Sequence, residues 1–176
     1  MSFKKKALLG VILASSATMS LQAFASPYIG ASLGQSDYDA VEDGTSYELK
    51  AGYKFSNNIA IQGSYIDFGD IDDNTPPVWT LSADAFELSV VGSYALGEKA
   101  SLTGIFGVSM WDASVHEEGF GTLGGTDGTD ILYGVGLDYV MNEAMSLVFQ
   151  FKDYDIAIDG IDVDLSNISL GIKYQF

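Results

Sequence analysis

A period-two alternation of side chains runs through this chain, and its polarity is inverted relative to a water-soluble barrel. It is cleanest over Ser46–Ser56. Tyr47, Leu49, Ala51, Tyr53 and Phe55 face one way, and Glu48, Lys50, Gly52 and Lys54 face the other. Period two is the signature of a β-strand. The final stretch repeats it, with Ile168, Leu170, Ile172, Tyr174 and Phe176 opposed by Asn167, Ser169, Gly171, Lys173 and Gln175. A soluble sandwich would turn such an apolar face onto a core. A membrane-spanning barrel turns it toward lipid and reserves the polar face for the lumen. Faces that carry Glu, Lys, Gln, Ser and Gly decide for the second arrangement, because a closed soluble barrel would be apolar inside.

Six further segments alternate: Tyr28–Asp37, Ile59–Phe68, Asp84–Leu96, Ala100–Trp111, Asp130–Val140 and Met145–Tyr154. The alternation weakens after Tyr65, where Ile66 and Phe68 exchange faces with Asp67. Eight strands of about ten residues meet the even count of a single-chain barrel. The links also alternate. Asn57-Asn58, Gly97-Glu98-Lys99 and Asn142-Glu143 are turn-type connections, whereas Tyr38–Thr45, Gly69–Ala83, Asp112–Thr129 and Asp155–Asp164 read as long loops. Short periplasmic turns and longer surface loops are the asymmetry expected of such barrels, and both termini fall on the periplasmic side. The aromatics Tyr28, Tyr47, Tyr53, Phe55, Tyr65, Tyr94, Tyr133, Tyr139, Phe151, Tyr174 and Phe176 are expected on the outside, as interfacial girdles.

The start of the chain supplies an address. Lys4-Lys5-Lys6 precede an apolar stretch from Ala7 to Leu21, and Ala23-Phe24-Ala25 offers small residues for cleavage. This pattern predicts a secretory signal peptide over residues 1–25 and a barrel domain over 26–176, with Ser26 first in the mature chain. Cleavage would leave 151 residues and, with three lysines and no acids lost, take the net charge from −16 to −19. So acidic a chain would repel the phosphates of nucleic acid. It has no cysteine, so an exported fold has to hold without disulfides. Mean hydropathy is +0.17, yet beyond the signal no apolar run approaches the roughly 20 residues of a spanning helix.

The ending Leu170-Gly171-Ile172-Lys173-Tyr174-Gln175-Phe176 resembles the C-terminal signal of bacterial outer-membrane barrels, and Tyr28-Ile29-Gly30-Ala31-Ser32-Leu33-Gly34 is similar to the first strand of OmpA-like barrels. Across the mature length the chain resembles the small eight-stranded outer-membrane family, with the OmpA membrane domain closest in layout and the OmpX/Ail surface proteins as cousins. The resemblance implies an up-and-down antiparallel transmembrane β-barrel in the outer membrane. It also implies recognition of Gly171, Tyr174 and Phe176 by the barrel assembly machinery. The peptidoglycan-binding domain of OmpA is not expected after Phe176, so wall anchoring is not implied.

Inward charges define the candidate site: Glu48, Lys50, Lys54, Glu87, Asp138, Lys152 and Lys173. Eight strands leave a lumen just wide enough for side chains, and an unpaired charge there costs several kcal/mol. Strand adjacency suggests Asp138, Lys152 and Lys173 as one ion-pair cluster and Glu48, Lys50 and Glu87 as a second. Such a network is either a structural plug or a gate for small ions. Outside, the loops concentrate acid. Asp70, Asp72 and Asp73 are the first candidates for Ca²⁺ or Mg²⁺ bridging to lipopolysaccharide phosphates, although no twelve-residue calcium loop is present; the alternative is a solvated acidic surface. The sole histidine, His116, lies in an acidic, glycine-rich expected loop near Ser114 and Glu117, a poor setting for a triad. A non-enzymatic chain with no cofactor follows, a monomer surrounded by outer-membrane lipid and lipopolysaccharide. A structural or surface-exposed role is expected, and two others stay open: a narrow ion or solute channel, and an adhesin touching host or phage through its loops.

Overall fold

The computed structural model describes residues 26–38, 44–73, 79–117, 121–158 and 161–176. The expected signal peptide lies outside them. Eight strands follow in chain order: β1 Ser26–Tyr38, β2 Gly44–Lys54, β3 Ile59–Asp73, β4 Trp79–Ala95, β5 Ala100–Glu117, β6 Gly121–Val140, β7 Met145–Ile158 and β8 Ile161–Gln175. Each pairs antiparallel with its neighbour, and β1 closes on β8 from Tyr28↔Gln175 to Tyr38↔Leu165. Closure leaves no edge strand, which lipid could not tolerate.

Local side-chain chemistry sets two of the three tight turns. Ser56 Oγ accepts from Ile59 N at 3.1 Å, and Asn142 Oδ1 accepts from both Ala144 N and Met145 N at 3.0 Å. Side chains of these types satisfy turn amides locally. Opposite the turns, one irregularity interrupts the β3–β4 ladder between Asp67 and Asp70. Gly69 sits there at φ +86°, and a Cβ would stand 2.4 Å from Thr45 O, so only glycine fits.

The outer surface is a belt of exposed aliphatic and aromatic side chains, including Leu49 at 65%, Phe106 at 63% and Leu170 at 52% exposure. So large an apolar surface on a closed barrel calls for lipid around it. The interior is mixed. Ser, Gln, Glu and Lys fill its middle, and an apolar layer that includes Ile66, Phe68, Trp111, Leu132, Tyr154 and Leu165 lies above them, toward the surface.

Three expectations need correction. Tyr28 is not in the outward belt; it is buried in the lumen, and its hydroxyl donates to Gln62 Oε1 at 3.0 Å. Its position, two before Gly30, puts it on the inward set. The irregularity at Ile66–Phe68 is also not a change of face. Ile66 and Phe68 continue the inward set of Gln62 and Ser64, and it is the lumen that turns apolar at that height. Finally, the loops are shorter than expected, because β3 to β6 continue well past the apolar belt. The segment Asp112–Thr129, read as a loop, is mostly a β5–β6 hairpin. The ladder persists there while the outward side chains become polar, so a search for outward apolar residues ends too early. His116 is therefore in β5, opposite Thr122, and Asp72 and Asp73 are in β3.

Candidate functional site in the lumen

Lys152 stands at the centre of the interior. Its side chain is fully buried, with Nζ 2.8 Å from Glu48 Oε1 and 2.7 Å from Glu87 Oε2. These groups come from β7, β2 and β4, so the contacts bridge the lumen rather than follow the ladder. Lys50 Nζ lies 2.9 Å from Glu48 Oε2 and also donates to Gln150 Oε1 of β7. Glu87 accepts from Ser64 Oγ at 2.7 Å and from the Tyr154 hydroxyl at 2.6 Å. Two ammonium groups thus meet two carboxylates, and the cluster is electrically neutral. Charge-assisted bonds of this kind offset the desolvation of buried ions only when they are nearly complete.

The lid over this cluster is aromatic. Phe68 and Tyr154, on β3 and β7, pack edge to face with ring centroids 5.2 Å apart. Since β3 and β7 are opposite walls of an eight-stranded barrel, this one contact crosses the whole lumen. Beside it, Trp111 Nε1 donates to Asp130 Oδ2 at 2.5 Å, and Asn167 Nδ2 donates to Ser36 Oγ at 3.0 Å and Ser46 Oγ at 2.6 Å.

A second pair lies below, toward the periplasm, where Lys173 donates to Asp138. Lys54, at the rim, reaches Gln175 Oε1 at 3.3 Å. The charges expected inside therefore do face the lumen, but they group differently from the adjacency argument. Lys152 belongs with Glu48, Lys50 and Glu87, not with Asp138 and Lys173. A lysine is long enough to pair across the barrel, and adjacency alone misses that reach. Tyr154, Gln150 and Ser64 complete the cluster and were not singled out from sequence, although each shares the inward parity of a charged neighbour.

At the surface end, aspartates form a row. Asp67 faces Asp84, Asp84 faces Asp112, and Asp112 faces Asp127 across four consecutive strands. All are on the outward set, directly above the lipid-facing Tyr65, Phe86 and Met110. From Ala85 to Ala95, β4 already supplies the roughly 9–11 residues of a tilted spanning strand, so the row stands outside the membrane. Partial burial, then Asp112 and Asp67, hold the Asp84 carboxyl above its ordinary value of 3.8, against a hydrogen bond from Tyr65. Like charges directly opposite destabilise a sheet. A carboxyl raised in the folded state is penalised above that raised pKa and relieved as pH falls through it toward the unfolded value. Asp84→Asn is therefore expected to raise urea stability at pH 7 by about 0.2–1 kcal/mol. The gain should shrink as the pH approaches 4. An equal gain at both pH values, or a loss, would exclude the repulsion. Asp70 instead accepts from Ser82 Oγ at 2.6 Å. Among the described residues no group of three or more His, Asp or Glu side chains is disposed to hold a metal ion; the side chains of Asp72, Asp73 and His116 lie outside them.

The profile of the outer membrane protein beta-barrel domain matches residues 7–176. The chain belongs to that family. It is a small transmembrane barrel of the outer membrane. No curated protein sequence matches it significantly. Among solved structures it is similar to Ail, the attachment invasion locus protein of Yersinia pestis, solved with the heparin analogue sucrose octasulfate. The TM-score is 0.61 at 20% identity, covering 86% of this chain and 97% of that one. Neisserial surface protein A gives 0.62 at 18%, with 86% and 97% covered. The N-terminal β-barrel domain of Pseudomonas aeruginosa OprF gives 0.61 at 14%, with 85% and 97% covered. At such identities the likeness is one of fold.

Proposed function

We propose that this protein is a structural, surface-exposed outer-membrane barrel with a closed lumen, acting through its lipid belt and its extracellular end. One observation carries the reading: Lys152 is fully buried between Glu48 and Glu87, beneath the Phe68–Tyr154 contact that spans the barrel. An ion crossing would have to separate both layers together. Planar-bilayer recording of the folded protein is expected to be silent, and to stay silent in Phe68→Ala, which opens the lid but leaves the ion pairs. Discrete steps in the unsubstituted protein that change with Lys152→Met would replace the plug by a gate.

Surface contact is a second reading, favoured by the continuation of β5 and β6 well beyond the apolar belt. The ligand of Ail does not transfer easily. A polysulfated sugar would meet Asp67, Asp84, Asp112 and Asp127, which repel it. The role proposed is non-enzymatic and needs no cofactor, and the barrel acts as a monomer in lipid and lipopolysaccharide. Residues 1–25 are the export signal in this reading. Intact-mass measurement of the membrane-extracted protein should find Ser26 at its N-terminus; an uncleaved chain would remove the signal-peptide assignment.

A further inference from the structure

Below the plug, a small cavity opens toward the periplasm and is lined by Lys50, Lys54, Lys173, Asp138, Gln62 and Thr103, among others. Three ammonium groups face it against one carboxylate. Asp138 is engaged by Lys173, and Lys50 by Glu48 and Gln150. Lys54 meets no carboxylate among the described residues; its contact is the neutral Gln175 Oε1.

Two buried neutral groups aim at the same space. Gln62 is 4% exposed, and because its Oε1 accepts from Tyr28, its Nε2 is left as a donor without a partner. Thr103 is 3% exposed, and its hydroxyl is likewise unpartnered. Buried donors left unsatisfied are costly and rare, and each calls for an occupant. A neutral water could accept both bonds but would leave the excess positive charge uncompensated. An anion answers both.

We propose that this vestibule binds a small monovalent inorganic anion of halide size, held by Lys54 Nζ, Gln62 Nε2 and the Thr103 hydroxyl. The cavity has room for roughly one or two waters, which admits a halide and excludes phosphate esters and organic acids. Charge placement agrees. Of the five lysines after residue 25, four line the lumen, and the fifth, Lys99, is in an exposed turn. The acidic surface end repels anions, so the site fills from the periplasm.

The test is the chlorine NMR linewidth of sodium chloride in the presence of the folded protein in a zwitterionic detergent, against protein-free micelles. Excess broadening that bromide competes away is expected. Lys54→Met should weaken chloride binding about tenfold, Thr103→Val should weaken it too, and Lys99→Met, with the same change of charge, should leave it intact. Absence of excess broadening overturns the site, as does an equal loss in Lys54→Met and Lys99→Met. If Lys54→Met does not fold, Thr103→Val decides: unchanged binding overturns the proposal. Conductance reads the plug and linewidth reads the vestibule, so failure of one leaves the other standing.

Discussion

Lys152→Met is expected to destabilise the folded barrel by about 3–5 kcal/mol in urea unfolding at pH 7, the usual cost of breaking a buried ion pair from one side. Methionine nearly matches the lysine chain in length, so packing changes little and the loss reports charge. What remains is Glu87, which keeps Ser64 and Tyr154 as donors but no cation, and Glu48, which keeps only Lys50. The double variant Lys152→Met/Glu87→Gln removes one charge of each sign and leaves the neutral Lys50–Glu48 pair. It should recover more than half of the loss. Coupling between groups in direct contact commonly reaches about 0.5–3 kcal/mol, and this pair belongs at the upper end because neither group sees water. A loss under about 1 kcal/mol for Lys152→Met, or a double variant that costs the sum of the singles, would mean that the cluster is not an electrostatic unit.

Burial is what makes this effect large, and it separates the cluster from the rim. Lys152, Glu48 and Glu87 are at most 2% exposed, whereas the side chains of Lys173 and Asp138 are 14% and 12% exposed. Water at the rim screens the lower pair and can replace a missing partner. Removing Lys173 should therefore cost less than removing Lys152, even though the two are drawn from neighbouring strands of the same lumen.

The barrel itself was legible in the sequence because the strands inside the membrane mostly follow one rule, apolar outward and polar inward, with a few inward exceptions such as Val91 and Ile105. The rule fails outright at two heights, and the errors over Ile66–Phe68 and over the loop lengths arise there. Above the belt, Asp84, Asp112 and Asp127 face outward, so alternation of apolar residues stops although the ladder does not. At the level of Ile66, Phe68 and Leu132 the lumen is apolar, so the inward set no longer looks inward. Counting parity from a secure neighbour, rather than judging polarity residue by residue, would have placed Phe68 and Tyr28 correctly. Partners across the barrel are a different matter. Which carboxylate Lys152 reaches depends on strand stagger and side-chain length, and period two carries neither. The unpaired donors of Gln62 and Thr103 were invisible for the same reason, since whether a buried donor finds a partner is decided by three-dimensional packing.

The seam between β1 and β8 gives the other large effect. Gly171 lies on the inward set opposite Ser32, and a Cβ there would stand 2.2 Å from Ser32 Oγ, 2.3 Å from Ala31 O and 2.8 Å from Ser32 Cα. Two of these three atoms are backbone, so no rotamer relieves the clash and the closing strands would have to part. Gly171→Val should cost at least about 3 kcal/mol, the upper range for overpacking, and much of the protein should fail to reach the compact, heat-modifiable form on gels. Gly104→Ala is the control, since a Cβ at Gly104 meets nothing within 4 Å and it should be neutral. The same comparison separates packing from recognition at the C-terminus. Tyr174 and Phe176 point outward, ring against ring at 5.1 Å, and contribute little to the lumen. If the C-terminal motif is read by the assembly machinery, Phe176→Ala should refold in detergent as well as the unsubstituted chain yet accumulate less in cells. Gly171→Val should fail in both settings. Refolding of Gly171→Val at ordinary yield would show that the seam tolerates a side chain, and that glycine at this position serves recognition rather than closure.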